Sequence, residues 1–125
     1  MAARQGPEVD PSTPFDSQLR EQDTGPIVIA NTFLVPEGSM DKFMEQWRKT
    51  ALFMKGRPGH ISTQMHRGIS GSNAMLNVSV WESNDALRAA HTSPQFMAGL
   101  KEYPDGSESR AHIYHTMAVD GVCVA

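Results

Sequence analysis

The sequence predicts an α+β fold of ferredoxin-like βαββαβ order, with a four-stranded antiparallel sheet that carries its helices on one face. Three observations support this prediction: strand-like and helix-like apolar patterns alternate along the chain, turn residues separate them, and each helical stretch connects two strands. This order is the split-βαβ arrangement, in which right-handed crossovers place both helices on the same sheet face. A chain of 125 residues has the size of one domain.

The first 25 residues differ in composition from the rest of the chain. They contain three prolines, several acids and few large apolar side chains. Such a stretch buries too little apolar surface to offset the entropy of ordering it. We therefore expect residues 1–25 to be disordered or arm-like, and we place the folded domain at 26–125. In an alternative interpretation, Phe15 and Leu19 dock on a partner subunit.

The first half of the predicted domain is a strand, a helix and a hairpin. Residues 27–35 are apolar on both alternating faces, which is typical of a strand buried on both sides. Ser39 is the predicted N-cap of a helix whose apolar residues recur at helical spacing until Gly56. The strand predicted at 60–67 joins the strand predicted at 74–82 through a glycine-containing turn, which favours an antiparallel pair.

The second half repeats a helix and a strand. Ser83 begins a second helix, and Ser93 followed by Pro94 begins a further helical segment that runs to about Tyr103. A fourth strand is predicted from about residue 111 to residue 119. In this order the first and third strands lie at the centre of the sheet, where we expect them to be parallel neighbours.

Composition and charge argue against several classes of function. A formal net charge of −3 gives no basic surface for nucleic acid, and no cluster of Lys and Arg would attract an anionic membrane. The longest apolar stretches are shorter than the roughly 20 residues of a membrane-spanning helix. Cys123 is the single cysteine, and no apolar leader is present at the start, so we expect a cytoplasmic protein.

The sheet face turned away from the helices is also predicted to be apolar, because the strands are apolar on both faces. An apolar face of this size is rarely left exposed to water. We therefore expect a homodimer in which two sheets face each other and close a barrel. Each protomer would then hold a cavity between its own sheet and helices.

Three residues in the predicted strands indicate a site. Asn31 interrupts the apolar first strand, while Asn77 and Trp81 lie four residues apart on the third strand and so share a face. Because a buried carboxamide without a partner costs about 2 kcal/mol or more, two of them near an indole indicate a small-ligand pocket. The alternative is structural, with each Asn bonded to nearby backbone and the Trp in the core.

The segment Asn77-Val78-Ser79-Val80-Trp81-Glu82-Ser83, followed by Ser93-Pro94-Gln95-Phe96, resembles the antibiotic biosynthesis monooxygenase superfamily of dimeric α/β barrels. Pro58-Gly59-His60 is similar to the Pro-Gly-Phe of that family. Within the superfamily, the sequence is most similar to the cofactor-free anthrone oxygenases of aromatic polyketide pathways. Those enzymes use an Asn on the first strand and an Asn and a Trp on the third. The resemblance therefore implies that Asn31, Asn77 and Trp81 are catalytic.

The resemblance further implies that a small aromatic substrate is oxidised by molecular oxygen to a quinone without flavin, heme or metal. The sequence itself has no dinucleotide fingerprint and no histidine spacing suited to a metal. Two departures from the relatives involve three positions. Leu87 stands where some members have a tyrosine, and Ala90 and Leu100 stand where heme-degrading members have a Trp and a His.

In this chemistry the side chains have separate roles. A carboxamide N–H of Asn31 or Asn77 can stabilise an enolate oxygen, and the Trp81 indole can donate to a nascent peroxide. His66 is the first candidate for the base, because imidazole suits proton transfer near neutral pH. The predicted substrate-binding residues are apolar and include three adaptable methionines: Phe33, Met44, Met65 and Met75.

Two functions of other classes stay open at this point. The same fold hosts non-oxidative cyclases and isomerases, and a protein of this fold can also bind an aromatic metabolite without transforming it.

Overall fold

The computed structural model describes residues 3–22 and 25–125. Five strands form one sheet: β1 (Ala3–Gln5), β2 (Ile27–Leu34), β3 (His60–Arg67), β4 (Ala74–Trp81) and β5 (Ser107–Tyr114). The helices are α1 (Phe15–Arg20), α2 (Met40–Lys55), α3 (Asn84–His91) and α4 (Pro94–Gly99), followed by a 3₁₀ turn at Leu100–Glu102. From β2 onward, this order confirms the predicted ferredoxin-like α+β fold.

The strands follow the order β1-β5-β2-β4-β3 across the sheet. The prediction that the strands now called β2 and β4 are neighbours is confirmed, but the prediction that they are parallel is wrong. The crossover through α2 makes β2 and β3 point the same way, and the β3–β4 hairpin then reverses β4 between them. Asn31 and Asn77 are direct partners across this antiparallel pair.

Local capping fixes where two of the helices begin. The Ser83 Oγ accepts a hydrogen bond from the Ala86 N–H at 3.1 Å, at the predicted start of the second helix. The Ser93 Oγ accepts one from the Phe96 N–H at 3.4 Å, which confirms Ser93 as the predicted cap. Ser39 precedes α2 as predicted, but its side chain makes no capping hydrogen bond.

The last strand begins four residues earlier than predicted, at Ser107, and ends at Tyr114. Its first residues are polar, so their pattern resembles a loop, yet they pair with both β1 and β2. Residues 115–119 lie beyond the strand, where Val119 forms an isolated bridge with Cys123.

The expectation of disorder is wrong for β1 and α1. Strand β1 pairs in parallel with β5, and α1 buries Phe15 and Leu19 against its own chain. The Asn84 Nδ2 donates to the carbonyl oxygens of Gln18 and Glu21, each at 2.8 Å, so distant side chains satisfy the end of this short helix. Residues 1, 2, 23 and 24, to which the expectation also applied, lie outside the described residues.

Helices and sheet enclose two clusters of buried side chains on one face of the sheet. The first contains Phe15, Leu19, Ile27, Ile29, Trp81, Leu87 and Ala90, and the second contains Val35, Phe43, Met75 and Tyr103. The cavity described below lies between the two clusters. In the part of the chain that the structure describes, no helix has the length and apolarity needed to cross a membrane.

Candidate active site

A cavity of about 490 Å³ lies between the sheet and the helices. Its wall is formed by α1 to α4 and by residues of all five strands. Seven of the nine aromatic side chains of the protein line it: Phe15, Phe33, Phe43, Trp47, Trp81, Phe96 and Tyr103. A mostly apolar wall with seven aromatic rings suits a planar ligand with a large apolar surface.

The structure brings the three predicted catalytic residues together in the wall of this cavity. Asn31 and Asn77 face each other directly across β2 and β4, where opposed Cβ atoms lie about 5 Å apart. Trp81 lies on the same face of β4 and is 1% exposed. The sequence prediction of a shared face is therefore confirmed, although the strands run in opposite directions.

The hydrogen bonds of these residues leave capacity for a ligand. The Asn31 Oδ1 is buried and has no hydrogen-bond partner among the described residues. The Asn77 Oδ1 accepts from the Ser79 hydroxyl at 3.3 Å, so the Nδ2 of Asn77 is directed elsewhere. Since a buried polar atom without a partner is costly, a ligand polar group in the cavity would stabilise this arrangement.

The N-terminal segment supplies part of the wall, which the sequence did not predict. Gln5, Phe15, Asp16 and Leu19 all line the cavity. The segment is held there from two sides: the Ile113 N–H donates to the Gln18 Oε1 at 2.8 Å, and α3 side chains bond the end of α1. The alternation of apolar residues could not reveal a six-residue helix with two buried apolar side chains.

His91 is a second cavity residue that sequence reasoning missed. Its ring lies between Phe96, with centroids 4.3 Å apart, and Phe15, at 5.4 Å. Burial lowers the pKa of His91 to about 4, and the nearby Asp16 carboxylate opposes this effect only in part. The imidazole is therefore neutral near pH 7. Two flanking aromatic residues at positions 15 and 96 are not visible as a cluster before the chain folds.

The structure places His66 outside the cavity, so the prediction that it acts as the base is wrong. His66 is exposed, and its Nδ1 lies 3.1 Å from the carbonyl oxygen of Leu76. It pairs with Leu76 on β4, one residue out of phase with Asn77. Since successive residues of a strand point to opposite faces, His66 lies on the other side of the sheet.

The predicted substrate-binding residues divide into two groups. Phe33 lines the cavity, whereas Met44, Met65 and Met75 do not. Met75 is buried in the second core cluster, and Met44 and Met65 pack against that cluster. Met54 and Met97 line the cavity instead.

Over residues 3–22 and 25–125, the structure contains no cluster of three or more His, Cys, Asp or Glu side chains that could hold a metal ion. Cys123 is exposed near the C-terminus and outside the cavity. The polar groups in the cavity wall are carboxamides, hydroxyls, the indole, a neutral imidazole and the carboxylates of Asp16 and Glu108.

Comparison with known proteins gives a family match over most of the chain. The family model described as antibiotic biosynthesis monooxygenase matches residues 26–102. A deoxynogalonate monooxygenase from Streptomyces nogalater is 29% identical over 75 residues, which are 60% of this chain and 63% of that protein. The chain thus spans less than two thirds of the length of this curated relative. The N-terminal residues that line the cavity, Gln5, Phe15, Asp16 and Leu19, lie before the region that the family model matches.

Solved structures with the same fold include SnoaB, a cofactor-independent oxygenase from Streptomyces nogalater. It is 24% identical, with a TM-score of 0.67, and the match covers 78% of this chain and 98% of SnoaB. A conserved protein from Methanosarcina mazei Go1 is 16% identical, with a TM-score of 0.66, and the match covers 75% of this chain and 95% of that protein.

Proposed function

Because the chain belongs to the antibiotic biosynthesis monooxygenase family, we propose that it is a cofactor-independent monooxygenase of electron-rich aromatic compounds. The proposed substrate is of the anthrone type and the product is the corresponding quinone. One observation carries the proposal: two carboxamides, Asn31 and Asn77, are paired across the sheet in an aromatic cavity that also presents the Trp81 indole.

The proposed reaction balances without a cofactor. A base removes a proton from the ring methylene of the substrate, which leaves an electron-rich enolate. The enolate passes one electron to oxygen, and the resulting radical and superoxide combine to form a carbon–oxygen bond. The peroxide anion then takes the first proton back from the base and becomes a hydroperoxide. The hydroperoxide then loses its second C–H proton as its O–O bond breaks. One oxygen atom stays on the carbon as a carbonyl, and the other leaves as water.

The chain's own residues would lower the energy of the charged species. An N–H of Asn31 or Asn77 donates to the enolate oxygen as negative charge develops on it, in the manner of an oxyanion hole. The Trp81 indole N–H donates to the peroxide, and its ring packs against the substrate. These donors lie in a cavity with a mostly apolar wall, where a bound substrate would displace water and so strengthen each interaction.

His91 is the imidazole best placed to accept the first proton. It lines the cavity, and its lowered pKa keeps it neutral and able to accept a proton near pH 7. A base this weak depends on the carboxamides to stabilise the enolate, so the two functions are coupled. The predicted base His66 is not proposed again, because it lies on the opposite sheet face.

We also propose that the protein acts as a cytoplasmic homodimer. The sheet face opposite the helices carries an apolar stripe that includes Val28, Ala30, Val78 and Val80, and Leu34 at its end is 55% exposed. A second copy of the chain would cover this stripe with the same stripe of its own sheet, as expected of a symmetric interface.

The decisive experiment is incubation of the protein with an anthrone under air and under argon. Oxygen-dependent quinone formation supports the proposal. Ring closure or isomerisation under argon would favour the cyclase or isomerase, and binding without turnover would favour a metabolite-binding protein.

The catalytic residues are tested with Trp81→Phe and Asn31→Ala, and Asn73→Ala is the control because Asn73 bonds Glu37 far from the cavity. Each of the first two variants should lose about 10²- to 10³-fold in kcat while staying folded. The double variant should lose less than the product of the two, because both donors act on the same charge. Near-normal kcat in both single variants would remove these residues from the mechanism.

A further inference from the structure

A continuous chain of hydrogen bonds connects the edge of the sheet with Asn77. The His60 Nε2 lies 2.6 Å from the Thr63 Oγ1, and the Thr63 Oγ1 lies 3.1 Å from the Ser79 Oγ. The Ser79 hydroxyl then reaches the Asn77 Oδ1 at 3.3 Å. Ser79 is 5% exposed, so solvent has little access to the middle of this series of hydrogen bonds.

The Asn77 side chain, at the end of this series of hydrogen bonds, sets the direction in which the protons are donated. The Asn77 Oδ1 can only accept, so Ser79 must donate its single proton to it. The Ser79 oxygen then accepts from Thr63, and the Thr63 oxygen accepts from a protonated His60 Nε2. In this direction both amide protons of Asn77 stay available to the cavity. A reversed chain would turn the carbonyl of Asn77 toward the substrate instead.

His60 also contacts the second predicted donor. Its ring meets the Trp81 ring edge to face, with centroids 5.1 Å apart and planes at 89°. The turn before His60 packs closely against α3, because Gly59 has φ +88° and an added Cβ there would lie 2.5 Å from the Cβ of Ala86. One imidazole therefore touches the Trp81 ring directly and reaches Asn77 through two hydroxyls.

We propose that His60 is a positioning residue that orients the Asn77 carboxamide, through Thr63 and Ser79, so that its N–H groups face the substrate. The same ring fixes the tilt of the Trp81 indole. The inference rests on the proposed function for its catalytic consequence, but the orientation itself is a property of the resting protein. Partial burial, with a smaller effect from Lys55, lowers the pKa of His60, so the ring near pH 7 is a neutral tautomer whose proton position is open to measurement.

The first test is long-range ¹H–¹⁵N NMR of the wild-type imidazoles. We expect the His60 ring to carry its proton on Nε2, and we expect Thr63→Val to shift the side-chain amide resonances of Asn77. A wild-type His60 with its proton on Nδ1 would overturn the proposal. This measurement needs no turnover and no His60 variant, so it remains decisive if the enzyme proves inactive toward anthrones and the proposed function fails.

The second test uses kinetics with an anthrone. His60→Phe keeps a ring against Trp81 but removes the donor, and Thr63→Val keeps the side-chain shape but removes the hydroxyl. Each should lower kcat about five- to tenfold with little change in KM, the size expected from one lost hydrogen bond, and Thr63→Ser should restore it. The double variant should lose no more than either single variant. His66→Phe is the control on the opposite face. Unchanged kcat in both single variants, or fully additive losses, would contradict the proposal.

Discussion

Acidification should destabilise the protein through His91, and the size of this effect follows from where the ring lies. The imidazole sits between Phe15 and Phe96, and burial lowers its pKa from 6.5 to about 4. In the unfolded chain the ring regains its ordinary pKa. Between about pH 4 and pH 6.5, the unfolded state therefore binds more protons than the folded state, and stability falls as the pH falls.

The difference between 6.5 and about 4 sets the magnitude. At 1.36 kcal/mol for each pH unit, the folded state loses about 3 kcal/mol relative to the unfolded state by pH 4. This value is an upper limit, because one side of the ring is open to the cavity. Above pH 6.5 the ring is neutral in both states, so His91 adds no pH dependence there.

The assay is urea unfolding at fixed protein concentration from pH 4 to pH 8, with wild type, His91→Phe and the exposed control His66→Phe. The difference in free energy of unfolding between wild type and His91→Phe should shift against wild type as the pH falls toward 4. Above pH 7 this difference should be constant. Carboxylates protonate in all three proteins, so their contribution cancels in the comparison. Parallel wild-type and His91→Phe curves over the whole range would refute the reasoning.

The remaining predictions concern the N-terminal segment and the outer sheet face. Phe15→Ala should cost about 3 kcal/mol in urea unfolding, because Phe15 is 6% exposed in the first core cluster; a loss under about 0.5 kcal/mol would mean that α1 does not dock. Asn84→Ala should cost about 2 kcal/mol, because it removes the two hydrogen bonds by which a buried side chain of α3 holds the end of α1, whereas Asn73→Ala should cost little. Light scattering should give a mass near twice 13.7 kDa, and Val78→Asp should reduce it to that of one chain; a monomeric wild type would contradict the proposed dimer.

Local sequence pattern determined the main elements and the placement of the central residues. Side chains two residues apart on a strand share a face, so Asn77 and Trp81 had to point the same way wherever the strand lay. The cap residues Ser83 and Ser93 act within four residues of themselves, and their effect was equally visible. These features depend on separations of a few residues along the chain.

The N-terminal segment shows what such local patterns cannot determine. Its few apolar residues are too sparse to predict folding, but Gln18 and the end of α1 bond groups on β5 and α3 that are 63 to 95 residues away. These partners offset the cost of ordering the segment, and they come together only after the sheet has formed.

Local patterns were also insufficient to determine the whole site, because part of it depends on contacts between distant residues. The sequence alone determined that Asn31, Asn77 and Trp81 could share one side of a sheet, because strand periodicity is local. Only the tertiary structure decided that Met44, Met65 and Met75 lie outside the cavity, that His66 lies on the far face, and that His91 lines the cavity while His60 contacts Trp81. The physical reason is that a histidine's role depends on which distant rings and hydroxyls surround it, and packing between elements sets those neighbours.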